Sequence, residues 1–88
     1  MKITQNILEE IINIAMIKGY LEVVDQRKNV LTLKDGIFTY NGEYQSKSIE
    51  AIRFYFLEAF KLSRNVTINK KKYQRERSDW RISKKNID

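Results

Sequence analysis

Residues 30–40 read VLTLKDGIFTY, and the fold is decided here. Two runs of alternating apolar and polar residues flank Asp35-Gly36. A two-residue hairpin turn needs positive φ at both central positions, and Asp-Gly is a pair that tolerates it. The turn then sets the register: Leu33 faces Phe38 and Leu31 faces Tyr40. Upstream, Tyr20–Val24 has the same period of two and adds Leu21 and Val23 to that face. The polar run 25–29, DQRKN, joins it to Val30. The opposite face carries Glu22, Thr32, Lys34 and Thr39, mixed with Tyr20, Val24, Val30 and Ile37. Asn41-Gly42 makes a further turn, and residues 43–45 suit a short return strand.

A helix is expected on each side of this meander. Thr4 or Asn6 can cap the first, with Glu9 three residues after Asn6, and Gly19 stops it. Its apolar residues, from Ile3 to Met16, cover more than half the helix circumference, so it needs two burial partners. The sheet and the second helix together are the preferred pair, with a second subunit as the other option. Ser46 or Ser48 caps the second helix, about Ile49 to Ser63. Ile49, Ile52, Phe56, Ala59 and Phe60 form its stripe, while Phe54 points away among Glu50, Glu58 and Lys61. The expected fold is α+β: a single small domain of α-β-β-β-α order over residues 1–65, with a three-stranded antiparallel meander packed against two helices. Residues 66–88 follow as a basic C-terminal arm. Val66-Thr67-Ile68 looks extended. Asn69 to Ser78 reads either as a helix, with Tyr73, Arg77 and Trp80 at i, i+4 and i+7, or as a segment that is disordered when unbound.

The 88 residues carry a net charge of +6. It is not evenly spread: residues 1–60 hold seven basic groups against eight acidic ones, net −1, and residues 61–88 hold ten against three, net +7. Such asymmetry argues about partners rather than fold. In the arm, Lys70, Lys71, Lys72, Arg75, Arg77, Arg81, Lys84 and Lys85 surround Tyr73 and Trp80. Cations neutralise phosphates and release counterions, and aromatic rings stack on bases or anchor the arm. The partner expected is nucleic acid, DNA or RNA. The bland alternative is a solvated tail whose rings fold back onto the domain.

The chain has no His, Cys or Pro. The usual general base, the thiol nucleophile and any zinc–thiolate site are therefore missing. No phosphate-binding glycine loop or nucleophile elbow is present, and the scattered carboxylates form no acid–base pair. The expectation is a non-enzymatic protein with no cofactor and no metal. No run is long and apolar enough to span a bilayer, and no basic front or cleavage site marks a secretory signal, so no membrane partner and a cytoplasmic location are expected.

Phe54, with Tyr55 and Leu62 beside it, is a candidate protein interface. Coverage of Phe54 by Tyr73 or Trp80 is the preferred reading. The α-β-β-β-α order is similar to that of double-stranded-RNA-binding domains. In that family a basic Ser-Lys-Lys entry to the last helix grips phosphates. Ser46-Lys47-Ser48 occupies that place without the following Lys or the glycine-rich approach, so the clamp is not carried over. Order, size and composition also resemble small phage-encoded inhibitors, some anti-CRISPR proteins among them. The expected function is an accessory or regulatory nucleic-acid-binding protein of a phage or mobile element. The alternative is an inhibitor that binds a host or defence protein through the surface around Phe54. A homodimer is compatible with both.

Overall fold

A computed structural model of the chain describes residues 2–76 and 79–82. The elements run β1 (Lys2–Ile3), α1 (Gln5–Ile17), β2 (Tyr20–Val24), β3 (Val30–Lys34), β4 (Ile37–Tyr40), β5 (Glu43–Tyr44), α2 (Ile49–Leu62), β6 (Asn65–Ile68), β7 (Lys71–Glu76) and β8 (Asp79–Ile82). The mixed α+β fold is as expected, and the β3–β4 hairpin has the expected register: Leu33 pairs with Phe38 and Leu31 with Tyr40. On the other side, Leu21 pairs with Leu33.

Both helices begin with a side-chain cap. Thr4 Oγ1 accepts from the Ile7 amide at 3.3 Å, and Ser48 Oγ from the Ala51 amide at 3.2 Å. Each bond satisfies one of the amides that a first helical turn leaves unpaired. Of the two candidates at each start, Thr4 and Ser48 are the residues used. Leu8, Ile12 and Ala15 of α1 and Ile52, Phe56 and Phe60 of α2 meet Leu21, Val23, Leu31, Leu33 and Phe38 in one core. The two helices thus share one face of the sheet, and no described element covers the other. The wide apolar arc of α1 is filled mainly as expected, by the sheet and α2, though Ile14 and Ile17 stay exposed.

The largest departure concerns the basic segment. Residues 69–76 are neither helical nor apart from the sheet. β6 pairs with β2 through Val23–Ile68 and Val24–Thr67, and β7 pairs with β6 through Val66–Tyr73 and Ile68–Lys71. β8 pairs with β7, and β1 closes against β8. Among the described residues the sheet has eight strands in the order β1-β8-β7-β6-β2-β3-β4-β5, antiparallel throughout. The reason is the alternation of Val66, Ile68 and Tyr73, all buried on the helix side. Burying each such side chain stabilises the fold by roughly 1.5–3 kcal/mol, which outweighs the weak helical preference of a Lys-rich run.

Three hairpin tips share one construction. Asp35-Gly36, Asn41-Gly42 and Asn69-Lys70 all have positive φ at both positions. In each, the first residue grips the strand beside the hairpin. Its amide donates to a carbonyl there and its side-chain oxygen accepts the amide of the same residue. Asp35 holds Gly19 at 3.0 and 2.6 Å, Asn41 holds Val30 at 2.7 and 2.7 Å, and Asn69 holds Glu22 at 3.1 and 2.9 Å. Asp and Asn suit this role because they tolerate the left-handed region and carry a short acceptor.

Candidate nucleic-acid interface

β2 lies between β3 and β6, so the tips of two hairpins flank its first residue. On one side Asp35-Gly36 is held to Gly19. On the other, Asn69 Nδ2 donates to the Tyr20 carbonyl at 3.3 Å, which sets Lys70 and Lys71 beside the start of β2. Lys34 pairs directly with Tyr20, and Lys18 ends α1 two residues earlier. Lys18, Lys34, Lys70 and Lys71 thus converge on one end of the sheet, and all four are exposed. Lys72 follows on the open face, opposite Thr67, and is also exposed.

Two acids stand at this end, and both make hydrogen bonds. Asp35 Oδ1 accepts the Gly19 amide, and Glu22 Oε2 accepts the Tyr20 hydroxyl at 2.9 Å. Partial desolvation, then the bond to Glu22, hold the Tyr20 phenol above its usual range. Four lysines against these two carboxylates leave this end of the sheet net positive, which attracts anions.

The candidate residues of the arm do not act as one stripe. Lys70 is at the hairpin tip with φ 70°. Lys71 and Lys72 open β7 on opposite faces, as alternation requires. Tyr73 is only 4% exposed and packs in the core opposite Val66, so it anchors and cannot stack on a base. Burial raises its phenol above the usual range. Arg75 turns to the helix layer: its Nη1 donates to the Lys61 carbonyl at 2.8 Å and its amide to the Arg64 carbonyl at 2.8 Å. It acts as a cation against the unpaired carbonyls of the end of α2. Trp80 and Arg81 lie in β8, where their backbones pair with Arg75 and Gln74 on one side and Ile3 and Lys2 on the other. Arg77, Lys84 and Lys85 fall outside the described residues.

Lys18, Lys34 and Tyr20 are the residues that sequence reasoning missed. A signal existed for the first two. Lys34 immediately precedes the Asp-Gly turn and Lys18 the helix-stopping Gly19, so both belong at the entrance to β2. Nothing marked the arrival of Lys70 and Lys71 there, because the third tip lacks the glycine of the other two.

The candidate protein interface is elsewhere. Phe54 is 61% exposed and Leu62 79%. Of the two rings expected to cover Phe54, Tyr73 does not, because it is committed to the core, and the Trp80 side chain lies outside the described residues. Tyr55 joins an aromatic chain from the core to the surface, with centroids 5.7 Å from Phe38, 6.1 Å from Tyr40 and 6.5 Å from Phe54. Between Tyr40 and Tyr55 on one wall and the 25–29 loop on the other lies a groove of about 410 Å³. That loop is held rigidly: Asp25 Oδ1 accepts the amides of Arg27 and Asn29, and Gln26 exchanges bonds with Ser63 and Arg64 at the end of α2.

Among the described residues no group of three or more acidic, His or Cys side chains is placed to hold a metal ion, and no helix is long and apolar enough to cross a membrane. No protein family, curated protein or solved structure matches the chain.

Proposed function

We propose that the protein is a non-enzymatic, cytoplasmic nucleic-acid-binding factor that grips phosphates with the lysine-rich end of its sheet. The observation that carries this reading is the convergence of Lys18, Lys34, Lys70 and Lys71 around the first residue of β2. Lysines from the near-neutral part of the chain join those of the basic part at one place, which a merely solvated tail does not require. Phosphate neutralisation by such a cluster is sequence-independent and salt-sensitive. Arg75 and Tyr73 are structural in this reading. An accessory or regulatory role of the kind found in phages and mobile elements fits the size and composition.

The test is binding of labelled DNA and RNA by anisotropy across a salt series. The wild-type protein should bind at low salt. A Lys70→Ala, Lys71→Ala, Lys72→Ala variant should reduce the log–log salt slope by about 2–3 on duplex DNA, since each phosphate contact contributes about 0.9. Absence of any binding at low salt overturns the proposal.

The second reading, inhibition of a host or defence protein, rests on the exposed Phe54 and Leu62 beside the Tyr40–Tyr55 groove. Phe54→Asp would remove that activity and leave nucleic-acid binding unchanged.

A further inference from the structure

We infer that the nucleic acid taken by this end of the sheet is single-stranded, with Tyr20 as its base-stacking platform. This rests on the reading just given and adds the class of substrate. Tyr20 is the first residue of β2, on the face that no helix covers, and is 47% exposed. Its hydroxyl is tied to Glu22, so the ring is held in place and little motion is lost on binding. The strand order sets its neighbours. On one side is the Asn69-Lys70 tip, bonded to the Tyr20 carbonyl. On the other is Lys34, and beyond it Ile37, paired with Lys34 and also exposed. Beyond the Lys70 tip, the open face reads ring, cation, apolar side chain across β2, β3 and β4, at a spacing of about 4.8 Å per strand.

That order matches a single strand, which alternates phosphates with flat apolar bases. A duplex presents its phosphates but keeps its base faces stacked inside and shows only base edges in its grooves. A tyrosine lying on an open sheet reaches a base face only when the base is unpaired. Neither Tyr73, which is buried, nor Phe54, which is on the helix layer, can supply such a ring here. Two carboxylates at this end, those of Asp35 and Glu22, are at odds with a phosphate chain. The Glu22 carboxylate stands beside the ring, so Glu22→Gln should tighten binding.

The experiment compares oligo(dT), oligo(U) and a duplex of equal length by fluorescence anisotropy with the full-length protein. The single strands should bind more tightly than the duplex. Tyr20→Ala should weaken single-strand binding roughly tenfold, the scale of one lost base stack, without altering the salt slope. Tyr20→Phe, which keeps the ring but loses the bond to Glu22, should retain most of the binding. Tyr20→Leu should lose it while keeping an apolar residue at the strand start, with far-UV circular dichroism checking the fold of each. Equal affinity for duplex and single strand, or full binding by folded Tyr20→Leu, overturns the single-strand inference and leaves the phosphate-gripping reading standing. No binding of any of the three overturns both.

Discussion

Lys70 is a residue whose conformation and identity disagree. It holds φ 70° where the Asp35-Gly36 and Asn41-Gly42 tips place a glycine at 84° and 85°. For an L-residue the left-handed region costs about 1–2 kcal/mol, of which the greater freedom of an unfolded glycine would return part. Lys70→Gly should therefore raise stability by about 0.5–1 kcal/mol in urea unfolding. Under the proposed function the same variant should bind nucleic acid less tightly. Gly36 is the opposite case. A Cβ there would stand 2.8 Å from the Met16 carbonyl oxygen, and φ is +84°. Gly36→Ala should cost about 2 kcal/mol or more, read as a lower urea midpoint with an unchanged slope. Tyr73 sets a pH dependence. Burial raises its phenol above 10.0, so its contribution is fully present below that pH. Above it the unfolded chain gives up the proton while the folded chain keeps it, and stability falls as pH rises through the folded value. Tyr73→Phe should flatten that fall in unfolding experiments run at alkaline pH.

The β3–β4, β4–β5 and β6–β7 hairpins stand on the same device, an Asp or Asn that extends the ladder to the adjacent strand. The β6–β7 hairpin depends on it most, because β6 pairs with β2 through only Val23–Ile68 and Val24–Thr67. Asn69 adds an amide bond, an accepted amide and a side-chain bond to the Tyr20 carbonyl. Asn69→Ala loses two side-chain bonds and puts a residue without the tolerance of Asn at a φ of 48°. It should lower stability by about 1.5–3 kcal/mol. Hydrogen exchange at Glu22, whose amide Asn69 accepts, should rise more than at Leu33 in the centre of the sheet.

In the whole molecule, the described strands of the basic segment are part of the fold. Removing residues 65–88 would strip Val66, Ile68 and Tyr73 from the core and leave β2 as a bare edge. The lost burial alone amounts to roughly 5–9 kcal/mol, against a total stability of about 4–13 kcal/mol for a chain of this length. The truncated protein should show no cooperative thermal transition and should associate through β2. Loss of nucleic-acid binding on truncation would therefore say nothing about the arm, and point substitutions at Lys34, Lys70 and Lys71 are the informative variants.

Local chemistry made much of this protein legible from its residues. Asp35-Gly36 and Asn41-Gly42 announced two hairpins, Thr4 and Ser48 two helix starts, and the alternation around them the register and the buried face. Each of these signals acts within a few residues and leaves its mark in one stretch of chain. The strand at 71–76 had no such mark. Its tip lacks glycine, its lysines suit coil or helix as well as strand, and Tyr73, Arg77 and Trp80 mimic a helical spacing. What assigns it to the sheet is pairing between β2 and β6, some 45 residues apart. Backbone hydrogen bonds form that pairing and carry no signature of their own in the side chains. The same long-range contact moved the site. The net charge located the basicity in the last third of the sequence, and folding placed part of it beside Lys18, Lys34 and Tyr20, where an arm became one end of a sheet.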